Sequence, residues 1–176
     1  MSDPQRPVIE TERLLLRPLT MDDLDALYAL YSDPDVRRFF PDGVRSYEET
    51  REELAWIIEV YYGRYGYGLW ATIHRPSGAF IGRCGLLPWT IAGRQEVEVA
   101  YLIDKAYWGQ GLATEAARAI VAYAFAALPV ERLICVIDPA NTASQRVARK
   151  LGMTLVDDRM VDEYGVSYLY ALPRPR

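Results

Sequence analysis

The stretch that decides the fold is residues 98–115, EVAYLIDKAYWGQGLATE, in which an apolar strand leads through a turn with two glycines directly into a helix. The first turn of a helix has amide groups without intrahelical partners and carries about half a unit of positive charge. Gly109 and Gly111 let the main chain approach a ligand closely, and they equally permit the positive φ angles of a tight turn. The stretch therefore predicts either a pyrophosphate site or a tight strand-to-helix turn, and the surrounding sequence must decide between them.

Two other glycine-loop motifs fit the flanks of this turn poorly. A dinucleotide-binding fingerprint needs a third small residue where Thr114 stands, and a sheet built from repeated βαβ units. A P-loop needs Lys followed by Ser or Thr after the second glycine, where this sequence has Leu112 and Ala113. A nucleotide-dependent oxidoreductase and a P-loop enzyme are both disfavoured.

Outward from this stretch, the apolar pattern predicts one mixed α/β (α+β) domain over residues 1–176, with a folded core at about 8–172. Three strands between residues 68 and 103 suggest an antiparallel meander. Strands are predicted at 11–19, 68–74, 79–87, 96–103, 133–137, 154–159 and 166–172, and helices at 20–32, 46–63, 111–128 and 141–151. The last two strands would form a hairpin around a turn at 163–165. The sequence thus predicts a mostly antiparallel sheet of about seven strands flanked by helices.

Composition narrows the class of protein further. Apolar residues make up 51% of the 176 residues, enough for a packed core, and a net charge of −4 disfavours nucleic acid as a partner. The two cysteines form neither a disulfide framework nor a zinc-ligand cluster, so no metal site is expected. We find no apolar signal core at the N-terminus and no stretch suited to span a membrane. A cytoplasmic protein is expected.

Three segments resemble the GNAT-type N-acetyltransferase superfamily, most closely its branch of ribosomal-protein N-terminal acetyltransferases. They are TERLLLRPLT at 11–20, YWGQGLATEA at 107–116 and NTASQRVARKLGM at 141–153, in the order and spacing of that family. The resemblance covers nearly the whole chain and implies a GNAT fold whose central parallel strands splay apart. It implies acetyl-CoA as cosubstrate and direct transfer of the acetyl group to a primary amine, with no acyl-enzyme. The acceptor would be a protein N-terminal α-amine or a small-molecule amine, and a homodimer is possible.

The resemblance also implies which residues bind the cosubstrate. The main chain of Tyr101, Leu102 and Ile103 would pair with the pantetheine arm like an added strand. Asn141 would hydrogen-bond the pantetheine region, or serve as the N-cap of the helix that follows it, and the two roles can coexist. The family's loop pattern maps onto residues 108–113, with Trp108 in place of a polar first residue. The residues implied at the pyrophosphate are Gly109, Gln110, Gly111, Leu112, Ala113 and Thr114.

Catalysis requires a base, because an aliphatic ammonium group with a pKa of about 10.4 must lose a proton before it can attack a thioester. The resemblance places the base on the strand before the loop, where the acidic residues are Glu96 and Glu98. Glu98 is the preferred candidate because it lies nearer the expected splay, where burial would raise the pKa of its carboxyl. The alternative is an exposed strand residue or a buried ion-pair partner.

Many relatives place a tyrosine seven residues after the asparagine to protonate the departing thiolate, and this chain has Ala148 there. Ser144 stands where the ribosomal-protein branch carries a serine next to the cofactor sulfur. One hydrogen bond from Ser144 could suffice, since a thiol has a pKa near 8.5, although an ordinary first-turn serine is the alternative. The missing tyrosine also leaves open a non-catalytic acyl-CoA-binding or regulatory module.

Overall fold

One sheet runs through the part of the chain that the computed structural model describes, residues 8–162 and 165–176. Its strands are β1 Ile9–Glu10, β2 Leu14–Pro18, β3 Leu69–His74, β4 Ala79–Ile91, β5 Arg94–Ile103, β6 Arg132–Ile137, β7 Thr154–Asp162 and β8 Gly165–Pro173. In the described residues the sheet has 8 strands in the order β1-β2-β3-β4-β5-β6-β8-β7. Neighbouring strands are antiparallel except β5 and β6, which are parallel. The predicted mixed α/β class, with a mostly antiparallel sheet and a parallel pair of central strands, is confirmed.

The helices flank this sheet. They are α1 Leu24–Tyr31, α2 Tyr47–Trp56, α3 Leu112–Ala127 and α4 Thr142–Lys150. Ser46 caps α2 in the predicted capping box with Glu49. Beyond Trp56 the chain continues as a π-helical segment, Ile57–Tyr65, and ends at Gly66 in the left-handed conformation, three residues later than predicted at Gly63.

Several strand boundaries differ from the prediction. The first predicted strand, 11–19, is shorter because β2 begins at Leu14, and β7 continues to Asp162 instead of ending at 159. The short β1 was missed, because two residues give no periodic signal. The strands β4 and β5 extend to Ile91 and Arg94, where Ala92 and Gly93 both have positive φ and close a two-residue hairpin. The prediction ended β4 at Leu87, before Pro88. The predicted final turn includes residues 163 and 164, which lie outside the described residues.

The core has one layer on each face of the sheet. On one face α3 buries Leu112, Ala116 and Ile120 against β4 and β5. On the other face α1 and α2 pack Leu27 and Leu54 against residues of β3 and β5. Among the described residues, we found no helix with the length and hydropathy needed to traverse a bilayer.

Candidate active site

A cleft of about 1140 Å³ lies at the carboxyl end of β5, where the two central strands part. The strands β5 and β6 pair at a single position, Glu98 opposite Ile134, although both strands continue beyond it. One wall is formed by the start of α3 and of α4, and the opposite end is closed by the loop of residues 35–45. The splay places main-chain groups of two central strands on the cleft instead of against each other.

Glu98 lies where the splay begins, and its carboxylate is held by two donors. Trp89 donates its indole N–H to Glu98 Oε2 at 2.6 Å. The main-chain N–H of Val136 on β6 donates to Oε1 at 3.1 Å. The carboxylate therefore supplies an acceptor for an amide of β6 across the gap between the strands.

Burial determines the ionisation of Glu98. The residue is 8% exposed, and desolvation raises the pKa of its carboxyl to about 7, against the smaller lowering effects of Val136, Trp89 and Arg83. Glu96 is also buried, but it forms ion pairs with Arg132 and Arg94. Glu98 has no salt bridge in the described residues and is therefore free to exchange a proton near neutral pH.

The glycine turn presents a row of amide groups. Gly109 and Gly111 have φ of +75° and +78°, so the turn requires the left-handed conformation at both positions. A Cβ at Gly109 would meet nothing within 4 Å, which leaves open space in front of the turn. Gly111 is the N-cap of α3 without a side-chain cap, and the N–H groups of residues 109–114 donate to no acceptor in the described chain. Unpaired amides at a helix N-terminus suit a phosphate group.

The connection between β1 and β2 contacts this turn and the start of α3. Glu115, in the first turn of α3, accepts hydrogen bonds from the Thr11 hydroxyl at 2.6 Å and from Arg13 Nε at 2.7 Å. Arg13 also donates from Nη1 to the Gln110 carbonyl at 3.0 Å. The turn is thus fixed to a segment about one hundred residues away in the chain.

The start of α4 contributes the third part of the site. Asn141 accepts a hydrogen bond from the Ser144 amide at 3.1 Å, which confirms its role as N-cap. Tyr101 donates its hydroxyl to the Ser144 carbonyl at 3.0 Å. The Ser144 hydroxyl has no hydrogen-bond partner among the described residues and lines the cleft. Ala148, where many relatives carry tyrosine, is fully buried in the core.

The cleft brings together nearly all of the residues predicted to form the site. Gln110 is the exception, since its carbonyl faces Arg13 and its side chain lies beside the Ala106 carbonyl. The Ile103 carbonyl already accepts a hydrogen bond from Trp108 Nε1 at 2.7 Å. The predicted residues that line the cleft are Glu98, Tyr101, Leu102, Ile103, Trp108, Gly109, Gly111, Leu112, Ala113, Thr114, Asn141 and Ser144.

Three contributions were missed at the level of sequence. Trp89 was placed beyond the end of its strand, and the Arg13–Glu115 pair joins residues far apart in the chain. Arg83 lines the cleft from the middle of β4. A lone arginine in the apolar run AFIGRCGLL is a signal that could have identified it.

Comparison with known proteins places this chain in a class of acyl-group transferases. A family model described as "Acetyltransferase (GNAT) domain" matches residues 13–154. The uncharacterized protein YkkB of Bacillus subtilis is 37% identical over 144 residues, which is 81% of this chain and 83% of the relative. The spermidine N(1)-acetyltransferase of Escherichia coli K12 is 26% identical, covering 88% of this chain and 80% of that protein.

Among solved structures, the ribosomal L7/L12 alpha-N-protein acetyltransferase RimL with coenzyme A superimposes with a TM-score of 0.79. At 21% identity, over 96% of this chain and 98% of that one, the likeness supports the shared fold. The chain belongs to the GNAT acetyltransferase family and is an N-acetyltransferase.

The residues present fit the acetyl-CoA that this family uses. The unpaired amides of residues 109–114 suit a pyrophosphate, and the open space at Gly109 leaves room for it. The splay of β5 and β6 leaves strand edges for an extended pantetheine arm.

Proposed function

We propose that this protein transfers the acetyl group of acetyl-CoA to a primary amine by direct attack, with Glu98 as general base and Ser144 as a hydrogen-bond donor to the departing sulfur. The observation that carries the proposal is the position of Glu98. This buried carboxylate forms no salt bridge in the described residues and lies at the start of the splay. The same cleft is bordered by the glycine turn, where the amides of residues 109–114 are unpaired. Acetyl-CoA supplies an activated thioester when bound.

Residues 109–114 would hold the pyrophosphate through their amides, and the main chain of Tyr101 would pair with the pantetheine. The other two predicted strand residues are less available, because the Ile103 carbonyl is bonded to Trp108 and the antiparallel register directs the main chain of Leu102 toward β4. Asn141 uses its side-chain oxygen within α4, and its amide nitrogen has no acceptor in the described chain. That nitrogen is therefore available to the pantetheine region. Trp108 would shape the loop rather than bind charge, since its indole is bonded to the Ile103 carbonyl.

Glu98 takes the proton that the acceptor ammonium must lose, directly or through a water molecule. A carboxyl with a pKa of about 7 is ionised in a useful fraction at neutral pH and is a stronger base than an exposed glutamate. Trp89 and Val136 keep the carboxylate oriented toward the gap between the strands. The role of these two residues is positioning.

Ser144 has its hydroxyl free in the cleft and can donate one hydrogen bond to the thiolate. Cys135 also lines the cleft, but burial raises the pKa of its thiol well above the ordinary range. A protonated thiol is a poor nucleophile, so direct transfer is favoured over an acetyl-cysteine intermediate.

The acceptor is a primary amine, on a protein N-terminus or on a small molecule. The first follows from the resemblance to ribosomal-protein acetyltransferases, and the second is supported by the relative named for spermidine. The net charge of −4 is too small to choose between them.

A panel of amines and N-terminal peptides incubated with acetyl-CoA, with mass detection of acetylated product, tests the proposal. We expect product with at least one acceptor and a fall in turnover on the order of 100-fold for Glu98→Gln. Glu96→Gln is the matched control, because Glu96 is buried two residues away on the same strand face but is paired with Arg132. Binding of acetyl-CoA without product from any acceptor would support a non-catalytic acyl-CoA-binding module instead.

A further inference from the structure

Arg83 is a buried arginine in the middle of β4, and its charge has no ionic partner. The residue is 5% exposed and forms no salt bridge with a carboxylate of the described chain. Its only hydrogen bond in that part of the chain runs from Nε to the Tyr31 hydroxyl at 2.9 Å. Both terminal nitrogens of the guanidinium therefore remain free.

The nearest carboxylate is already committed to other groups. Glu53 accepts a hydrogen bond from the Tyr31 hydroxyl on Oε1 at 2.9 Å, and its Oε2 lies 2.9 Å from Arg45 Nε. Tyr31 thus separates Arg83 from Glu53. The chain offers Arg83 a hydroxyl instead of a counter-charge.

The arginines next to Arg83 have carboxylate partners of their own. Arg37, also buried, lies near Arg83 and pairs with Asp42 at 2.6 Å. Arg45 lies within 4 Å of carboxylate oxygens of both Asp42 and Glu53. Arg83 is the arginine of this group that has no carboxylate at salt-bridge distance in the described chain, and the nearest anionic group on its own face of the sheet hairpin is Glu98.

Arg83 lines the same cleft as Glu98 and on the same face of the sheet. The register pairs Arg83 with Leu102 and Leu87 with Glu98, so alternate residues of both strands point to one side. The ring centroids of Tyr31 and Phe40 lie 5.6 and 5.7 Å from the guanidinium carbon, within cation–π range. Phe40, Leu87 and Ala100 also line this cleft.

A buried charge without a partner is costly, and pairing it with an opposite charge repays much of that cost. The planar fork of an arginine matches a carboxylate in a bidentate geometry. We propose that Arg83 binds a carboxylate of the acceptor, so that the substrate is a small amine that also bears a carboxylate group. This inference rests on the proposed function.

The spacing limits the length of such an acceptor. Arg83 and Glu98 are offset by four residues along paired strands, which separates them by about 13 Å along the strand direction. The amine must lie near Glu98 while the carboxylate reaches Arg83. An ω-amino acid or a longer amino acid with several bonds between the two groups spans this gap.

The test compares matched acceptors with the wild-type enzyme. Each ω-amino acid in a series of graded chain length is assayed beside its carboxamide, which keeps the size and the distant amine but removes the charge. We expect the acid to exceed the carboxamide on the order of 100-fold in kcat/KM, with the preference rising to an optimum length. A carboxylic acid without an amine should inhibit competitively against the acceptor and not against acetyl-CoA.

Two variants assign the effect to Arg83. In Arg83→Gln we expect a higher KM for the acid, a lost preference over the carboxamide and an unchanged affinity for CoA. Arg37→Gln is the control, since it removes an equally buried guanidinium from the same aromatic cluster but one that is paired with Asp42. That variant should keep the preference for the acid.

The outcomes separate this inference from the proposed function. Equal rates for acids and carboxamides, or a preference for spermidine or peptides without acidic side chains, would overturn the role of Arg83 while leaving acetyl transfer intact. An unchanged preference in a folded Arg83→Gln variant would overturn it as well. Absence of product from every amine would instead count against the proposed function.

Discussion

The indole nitrogen of Trp89 lies 2.6 Å from Glu98 Oε2, within the hairpin that β4 and β5 form. This hydrogen bond stabilises the charged form of the carboxyl and lowers its pKa, while burial raises it more. The ionisation of Glu98 therefore depends on Trp89, to which the proposed reaction gives no other role.

Trp89→Phe removes this donor and keeps an aromatic ring. We expect the pKa of Glu98 to rise further, so that the acid limb of kcat/KM moves to higher pH and activity at pH 7 falls several-fold. Activity should recover in alkaline buffer. A loss of the same size at every pH, measured in a full pH–rate profile, would indicate distortion of the site instead.

Glu98 should also make folding stability depend on pH. Its folded pKa of about 7 exceeds the ordinary value of 4.5, so the native state binds the proton more tightly than the unfolded chain. The contribution of the Glu98 carboxyl to the free energy of unfolding is fully present below about pH 4.5 and is lost as the pH rises through 7. Relative to Glu98→Gln, the free energy of unfolding of the wild type should decline by about 3 kcal/mol between pH 4.5 and 8. The measurement is a denaturant titration of both proteins at each pH in this range. If their free energies of unfolding differ by the same amount at every pH, the raised pKa of Glu98 is disproved.

Replacing Gly111 by valine should weaken CoA binding by at least about tenfold, because a β-branched residue is strained at φ +78° and disturbs the adjoining amides. Calorimetric titration with CoA gives the dissociation constant. Gly78→Val is the matched control, since Gly78 has φ +69° and open space but lies in the β3–β4 turn, away from the cleft. Both variants should lose stability, and only the first should lose affinity. Equal affinities would show that residues 109–114 do not hold the ligand.

Ser144→Ala should lower kcat by up to about tenfold while leaving the affinity for CoA nearly unchanged. The reason is that the substitution removes one hydrogen bond to a thiolate of modest basicity. The N-cap of α4 is kept, because the main-chain amide of residue 144 still donates to the Asn141 side chain. Steady-state kinetics with saturating acetyl-CoA measure the effect. A variant with wild-type kcat would limit Ser144 to its structural place in the first turn.

Sequence alone predicted the parts of the site that depend on local structure. Gly109 and Gly111 could be identified because left-handed turns favour glycine, and Ser46 because a capping box is a local pattern. Glu98 was chosen over Glu96 by its distance from an expected splay, and the structure gives a physical reason in the ion pairs that occupy Glu96.

Contacts between distant segments could not be predicted in this way. Thr11 and Arg13 meet Glu115 only because β2 lies beside the start of α3, and no periodic pattern encodes that proximity. Trp89 was missed because the predicted strand ended at Leu87, whereas the hairpin continues past Pro88. Pro88 is accommodated opposite Val97.

The single pair between β5 and β6 implies a compromise between the stability of the sheet and the activity of the enzyme. A continuous parallel ladder would add main-chain hydrogen bonds at the centre of the sheet, and the protein forgoes them where the cleft lies. The cosubstrate would then complete the sheet as a temporary strand, so amide hydrogens near Val99 and Tyr101 should exchange with solvent more slowly when it is bound. In this enzyme, the central strands would therefore have more of their main-chain hydrogen bonds satisfied with acetyl-CoA bound than without it.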